Sequence, residues 1–126
     1  MTKEEFTKLP YLLPPASAVA CGYSLTTLNK YAENGILVVV LPKGVAQRRF
    51  QKRQLAQLLG WEALIDLARW RMEKPLMALG ALCEWTGYTS ETVSHIVAAG
   101  GLQPVQPGGL GERKFRKQQI GEWLGL

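Results

Sequence analysis

Two short clusters of basic residues are the positions at which this sequence most clearly carries chemistry. Each cluster surrounds a phenylalanine, Phe50 in the first and Phe115 in the second. The cations are Arg48, Arg49, Lys52 and Arg53 in the first cluster, and Arg113, Lys114, Arg116 and Lys117 in the second. Because residues alternate sides along a strand, each phenylalanine is expected to point inward and its neighbours outward. Cations beside the start of a helix suit phosphate groups, although a solvated run of charge is the simpler alternative.

No pattern in the sequence is typical of an enzyme. It has no glycine-rich phosphate loop, no GxSxG motif and no carboxylate pair placed for acid–base chemistry. Cys83 and His95 could pair as nucleophile and base, but no residue is placed to orient them. Two separate cysteines and one histidine cannot assemble a zinc site, so Cys21 and Cys83 are expected to be small buried side chains. We therefore expect no catalysis, no cofactor and no metal.

Composition indicates a folded protein with a modest net positive charge. The chain of 126 residues is 47% hydrophobic, carries a net charge of +5 and has a pI near 9.4. No apolar run approaches the roughly 18 residues of a membrane span, and the acidic N-terminus leads to no signal-peptide core. We expect a cytoplasmic protein with no membrane partner and no small-molecule effector. Positive charge alone is weak evidence for nucleic acid, so its placement matters more.

An internal repeat organises the whole sequence. Shifting the chain by 65 residues aligns 12–60 with 77–125 without a gap, and fifteen of the 49 pairs are identical. Gly22-Tyr23 falls on Gly87-Tyr88, and the two basic clusters fall on each other. Chance would give about three identities, so the pattern indicates duplication of one small unit. Each half is near the size at which an isolated core is marginal, which favours an interface between the halves.

Each copy is predicted to form two helices, a hairpin and a third helix. Pro15 opens a first helix that Gly22 ends, and Ser24 caps a second helix that Gly35 ends. Residues 36–41 and 47–50 are predicted strands around a turn at 42–44, and 52–59 is the third helix. Thr89, Gly100-Gly101 and Pro107-Gly108-Gly109 play the corresponding parts in the second copy. This order is typical of a winged helix-turn-helix, in which the hairpin is the wing.

The predicted fold class is therefore mainly α, with small β-hairpin wings. We divide the chain into a first module with an N-terminal arm (1–60), a connecting helix (61–75) and a second module (76–126). The connecting helix follows from apolar residues at helical spacing, which are Trp61, Leu64, Ile65, Ala68 and Met72, widened by Leu67 and Trp70. This stripe is expected to pack the two modules together, or else to contact another molecule.

Two families share parts of this pattern. The segment 22–31 (GYSLTTLNKY) with 33–37 (ENGIL) resembles the helix-turn-helix of MerR-type regulators. The segment 113–124 (RKFRKQQIGEWL) resembles the end of phage excisionase domains. The resemblance covers both repeats and implies a DNA-binding protein. We expect no long dimerisation helix and no effector domain after the second module, which favours an excisionase-like architecture over a ligand-sensing MerR regulator.

The second helix of the first module is predicted to enter the major groove of DNA. With Leu28 in the core, helical geometry puts five residues on its outer face, namely Leu25, Thr26, Asn29, Lys30 and Glu33. Asn29 could pair with adenine, and Lys30 could reach guanine or phosphate. The resemblance to MerR regulators implies that Tyr31 contacts phosphate through its hydroxyl; a half-buried core ring is the alternative. Lys43 at the turn joins the predicted phosphate contacts.

The equivalent helix of the second module is a weaker candidate. Its outer residues are Ser90, Glu91, Ser94 and His95, which include one acid and no permanent cation. Glu91 could accept from cytosine but would repel phosphate, and His95 could be an ordinary exposed histidine. We therefore expect the first module to read more sequence than the second.

Two functions remain open from the sequence. The first is binding of double-stranded DNA, as an excisionase-like recombination directionality factor or a small phage or plasmid regulator. Self-association on DNA and contact with a recombinase or RNA polymerase would fit that role. Two modules would then recognise sites about one helical turn apart, and six phosphate contacts would give a salt slope near −5. The alternative is a protein-interaction scaffold without direct DNA readout.

Overall fold

Eight α-helices and two small antiparallel sheets make up the computed structural model, which describes residues 1–126. The helices are α1 (Lys3–Lys8), α2 (Pro15–Ala20), α3 (Leu25–Glu33), α4 (Lys52–Leu59), α5 (Leu67–Met72), α6 (Leu79–Thr86), α7 (Ser90–Ala98) and α8 (Lys117–Leu124). The strands are β1 (Leu12–Leu13), β2 (Val39–Val40), β3 (Arg49–Gln51), β4 (Leu76–Met77) and β5 (Phe115–Arg116). The mainly helical class predicted from the sequence is confirmed.

The first sheet has the order β1-β3-β2, so β3 is central and β2 lies at an edge. Phe50 in β3 pairs with Leu13 on one side and Val39 on the other. The second sheet pairs β4 with β5, through Met77 and Phe115, and one isolated bridge joins Val105 to Lys114. That bridge is the counterpart of the pairing between Val40 and Arg49 in the first sheet.

Helix ends follow the predicted capping residues. The Ser24 hydroxyl accepts a hydrogen bond from the Thr27 backbone N–H, and Thr89 does the same for Thr92. Each bond satisfies a backbone donor that the first turn of a helix leaves free, so α3 and α7 begin where the sequence predicts. Gly60 ends α4 with φ of +72°, a left-handed conformation that glycine adopts without strain.

Both halves present the same elements in the same order. The order is helix, strand, two helices, paired segments and helix, running through α1–α4 in the first half and α5–α8 in the second. From α3 onward the offset is 65 residues, but β1 matches β4 and the start of α2 matches that of α6 at an offset of 64. The ungapped alignment is therefore wrong by one residue before Gly22, and α6 absorbs the extra residue.

Four predicted features differ from the structure. The strand expected over 36–41 is paired only at 39–40, since the chain bends before it. The connecting helix expected over 61–75 is instead a 3₁₀ turn at Glu62–Leu64 followed by α5, whose first turn Asp66 caps by accepting from the Arg69 N–H. Met72, placed in the apolar stripe, is 85% exposed. The N-terminal arm contains α1, which Thr2 and Glu5 hold in a capping box and which buries Phe6.

One continuous core joins the two halves. Its 23 buried residues include Phe6, Leu28 and Phe50 from the first half with Trp85 and Phe115 from the second. The rings of Tyr11 and Trp85 meet edge to face at 4.8 Å, and the Tyr11 N–H donates to the Trp85 carbonyl at 2.8 Å. The halves therefore pack as one body, as expected for units too small to bury a sufficient core alone.

Candidate nucleic-acid interface

The outer edge of α3 is open to solvent, as predicted. Leu25, Thr26, Lys30 and Glu33 are exposed, while Leu28 is fully buried on the opposite side. Leu25 retains 46% exposure. An exposed leucine beside a threonine and a lysine presents a mixed surface, in which apolar atoms could contact a thymine methyl group and the ammonium could contact a base or phosphate.

Asn29 is held in place by a residue of the first basic cluster. Arg48 Nη2 donates a hydrogen bond to Asn29 Oδ1, and the guanidinium lies over the Phe50 ring, 5.4 Å from its centre. An amide oxygen has two lone pairs, so Asn29 keeps one acceptor position and both N–H donors for another partner. The bond therefore orients the amide and leaves hydrogen-bonding groups of Asn29 free for another partner. It also brings together Asn29 and Arg48, both of which are predicted site residues.

Tyr31 is half-buried and does not stand free on the surface. Its ring meets that of Tyr23 edge to face at 5.4 Å, and its backbone carbonyl accepts from the N–H groups of Ile36 and Leu37. These contacts close the turn after α3. The packing role is therefore accounted for, whereas the phosphate contact implied by the family resemblance stays a prediction.

The first hairpin packs against the second half of the molecule. A β-carbon at Gly44 would lie 2.5 Å from the carbonyl oxygen of His95, and one at Gly101 would lie 2.7 Å from that of Lys43. Such close backbone approach needs glycine on both sides. The tip of this hairpin is therefore docked on α7, with the Lys43 side chain still exposed. The hairpin consequently lies between α3, which it contacts through Arg48, and α7.

The predicted residues of α7 share one exposed face. Ser90, Glu91, Ser94 and His95 are all exposed, and Val93 and Ile96 are buried behind them. None of the four makes a side-chain hydrogen bond to another residue, and none carries a permanent positive charge. This face is thus accessible but electrostatically poorer than that of α3 for binding a polyanion.

Lys52 is one of the predicted phosphate contacts, but the structure buries its ammonium. Its side chain is 1% exposed, and its ammonium donates to the carbonyls of Thr7 and Leu9 at 3.2 and 2.8 Å. It also lies 4.7 Å from the centre of the Tyr11 ring. Burial lowers the pKa of Lys52 to about 8, and the charge of Arg69 acts in the same direction. This lysine links the end of α1 to the start of α4, and its ammonium is buried.

Lys117 has the same role in the second half. Its ammonium donates to the carbonyls of Glu73 and Arg71 at 3.2 and 3.4 Å and lies 5.3 Å from the Trp70 ring centre. The recurrence of this lysine therefore reflects a repeated contact with the end of the first helix of its own half, which is α1 for Lys52 and α5 for Lys117. In the sequence, a positive charge that recurs in both copies favours phosphate binding. At this position the recurrence is explained by a contact that maintains the fold.

Two more cations of the first cluster serve the interface between the halves. Arg49 lies 4.7 Å above the Tyr88 ring and donates to the Leu12 carbonyl at 3.4 Å. Arg53 donates to the Gly125 carbonyl at 2.7 Å. Neither guanidinium is fully free for a phosphate. Of this cluster, only Arg48 lies beside the exposed edge of α3. Most cations of the predicted basic hairpin are therefore used in contacts inside the protein.

The second cluster is more open. Arg116 is exposed, Arg113 is half-buried, and Lys114 pairs with Glu112 at 2.8 Å. Arg116 and Lys117 line a cleft of about 860 Å³ between α5 and α8, together with Trp70 and Arg71. No side chain caps the N-terminus of α8. Glu73 and Glu122 line this cleft together with Arg71 and Arg116, so the charge of its lining is mixed. Arg71 was missed by the sequence reasoning, because it lies in a stripe read for its apolar residues.

The remaining chemistry-bearing residues do not converge on a site. No three His, Cys, Asp or Glu side chains come together as metal ligands. Cys21 and Cys83 are partly exposed, not buried as predicted, and partial burial raises the pKa of each thiol. No helix has the length and apolar character needed to cross a membrane.

Comparison with protein-family models, with curated proteins and with solved structures gave no match.

Proposed function

We propose that this protein binds double-stranded DNA through α3 and that each half is a winged helix-turn-helix unit. The observation that carries the proposal is the exposed edge of α3, where Arg48 orients the Asn29 amide beside Lys30. An amide and a cation on one helical edge are the groups that read adenine and guanine in the major groove. The capped start of α3 and the short turn before it support the helix-turn-helix assignment.

The arrangement of the first hairpin favours one continuous binding surface over two separate sites. The side chain of Arg48 contacts α3 and Gly44 contacts α7, so one short hairpin touches both helices, and the Cα atoms of residues 44 and 48 are at most about 14 Å apart. Two sites one helical turn apart need a separation of about 34 Å between their reading helices. We therefore propose that α3 reads the bases and that α7 lies beside it on the same stretch of DNA.

Phosphate contacts are assigned to the cations that remain available. These are Lys30, Lys43, Arg113 and Arg116, since Arg49, Lys52, Arg53 and Lys117 are held by internal contacts. Neutralising about four phosphates would give a slope of about −4 for log K against log salt concentration. This slope is shallower than the slope of about −5 expected from six phosphate contacts.

The role on DNA is proposed to be that of an excisionase-like directionality factor or a small regulator. The duplicated unit supports this role, together with the resemblance of 113–124 to excisionase domains. Bending separates the two variants of the proposal, because a directionality factor works by shaping DNA for a recombinase. A circular-permutation gel-shift assay on a bound fragment would show strong bending for the first and little for the second.

The experiment that tests DNA binding begins with selection of bound duplexes from a random library by the full chain. Affinity for the selected duplex is then measured by fluorescence anisotropy. The double variant Asn29→Ala/Lys30→Ala is expected to bind about 30-fold more weakly, since each lost base contact costs about 1 kcal/mol or more. The matched control on α7, Ser90→Ala/Ser94→Ala, should change affinity less than about threefold. Selection without enrichment, or equal losses in both variants, would contradict the proposal.

A protein-interaction scaffold is the second candidate, and one observation favours it. Most cations of the first cluster are used inside the molecule, while the segment 36–41 exposes apolar side chains. Surfaces of that kind mark sites of contact between proteins. A stoichiometric protein partner, together with no enrichment of any duplex, would favour this candidate over DNA binding.

A further inference from the structure

We infer that a second copy of this chain pairs with the open edge of β2, across the exposed apolar side chains of residues 36–41. The strand lies at the edge of the first sheet, since only β3 pairs with it. The exposed side chains are Ile36 (51%), Val38 (45%), Val39 (36%) and Leu41 (53%). This inference does not rest on the proposed DNA binding.

The duplication provides an internal comparison for these positions. The residues at the matching places in the second half are Gly101, Gln103, Pro104 and Gln106. The second half forms only the isolated bridge between Val105 and Lys114 at this place, yet its helices keep the same order, so folding of the unit does not require apolar side chains here. Proline and polar residues are devices by which proteins protect sheet edges from pairing. The second half has that protection, and the first half lacks it.

The backbone of β2 also has free hydrogen-bonding groups at this edge. The Val38 N–H donates to Gln54 Oε1 at 2.7 Å, on the side of the strand that faces α4. Because backbone groups of successive residues point to opposite sides of a strand, the N–H and C=O of Val39 point to the open edge. Two copies related by a two-fold axis at Val39 would exchange two hydrogen bonds there, in antiparallel orientation.

The charges in and around the segment 36–41 are compatible with an antiparallel arrangement of two copies. The segment 36–41 has no charged residue, so two copies do not repel each other along the strand. Glu33 precedes the segment and Lys43 follows it, and both are exposed. An antiparallel copy brings the acidic end of one segment near the basic end of the other. A run of six uncharged, mostly β-branched residues is also the composition that pairs readily with itself.

The test is the mass of the full chain in solution without DNA, measured by sedimentation equilibrium over a range of concentrations. We expect association to twice the monomer mass of 14.0 kDa. The variant Val38→Gln/Leu41→Gln places the second-half residues at two exposed positions and should raise the dimer dissociation constant about 100-fold. The control Val19→Gln/Leu110→Gln removes exposed apolar residues elsewhere and should leave it unchanged.

A second readout locates the contact. The amide hydrogen of Val39 should exchange with solvent quickly at low protein concentration and slowly where the dimer predominates. A chain that stays monomeric would overturn the inference and leave the edge to a different partner. A dimer that the control variant weakens and the Val38→Gln/Leu41→Gln variant does not would overturn it equally. Both outcomes are independent of whether any DNA is bound.

Discussion

Lys52 and Lys117 occupy the same place in the two halves, at the start of α4 and α8, and differ in their surroundings. Lys52 is buried, and the neighbouring Arg53 holds the carbonyl of Gly125. Lys117 is partly exposed and lines an open cleft with Arg116. The contact between this lysine and backbone carbonyls is therefore the same in both copies. The surroundings of the lysine are buried in the first half and open to solvent in the second.

The hairpins differ in a similar way. The tip of the first is pressed against α7 at Gly44, whereas a β-carbon at the matching Gly109 would meet no atom within 4 Å. Residues that are identical in the two copies therefore mostly maintain the fold. Most features that we connect with function lie where the copies differ, at the outer edges of α3 and α7 and in the segment 36–41. The exception is the arginine at positions 48 and 113, which is present in both copies.

The largest expected effect concerns the two lysines. Replacing Lys52 with alanine leaves a cavity and removes two charge-assisted hydrogen bonds, so the free energy of unfolding should fall by about 4 kcal/mol. Lys117→Ala should cost only about 1 kcal/mol, because its ammonium bonds are longer and partly solvated. Urea unfolding of both variants measures the difference. Equal losses would show that the two contacts are equivalent.

The pH dependence of stability tests the same comparison between Lys52 and Lys117. The pKa of Lys52 is lowered from 10.5 to about 8, so the unfolded chain holds this proton more tightly between pH 8 and 10.5. Burying the charge therefore costs stability below pH 8, and the cost is relieved as the pH rises through that range. Relative to Lys52→Met, the wild type should gain up to about 3 kcal/mol between pH 7.5 and 10.5.

Urea unfolding at each pH measures this gain, with Lys117→Met as the control for removing a lysine from the matching position. A constant difference between the wild type and Lys52→Met across the range would contradict the lowered pKa of Lys52.

The smallest effect concerns the hairpin tips. Gly44 and Gly109 have φ of +96° and +70°, so alanine is strained at both. At Gly44 the added methyl group also collides with the His95 carbonyl, and Gly44→Ala should destabilise by about 2 kcal/mol more than Gly109→Ala. Thermal or urea unfolding measures both. Similar losses would mean that the first hairpin is not docked on α7.

Local signals in the sequence predicted most helices correctly. Ser24 and Thr89 specify the starts of α3 and α7, and Gly60 specifies the end of α4, because each acts through the backbone of its own neighbourhood. The helix α1 was missed, although the capping pair Thr2 and Glu5 is visible in the sequence. Its short length gave no periodicity beyond Phe6.

Contacts between distant residues could not be predicted in this way. The burial of Lys52 depends on the carbonyls of Thr7 and Leu9, more than forty residues earlier in the chain. Arg49 and Arg53 look equally available in a sequence, since nothing local shows that Tyr88 and Gly125 meet them. The outer edge of α3 was predictable because helical geometry alone separates Leu28 from Asn29 and Lys30.

The measurement that tests the account most directly is residue-specific NMR mapping of the selected duplex on the labelled chain. The account predicts that amide shifts on adding DNA concentrate at 25–30 in α3 and at Arg48, with smaller changes at 90–95 in α7. Shifts confined to α7 or to the cleft between α5 and α8, with none along α3, would contradict it.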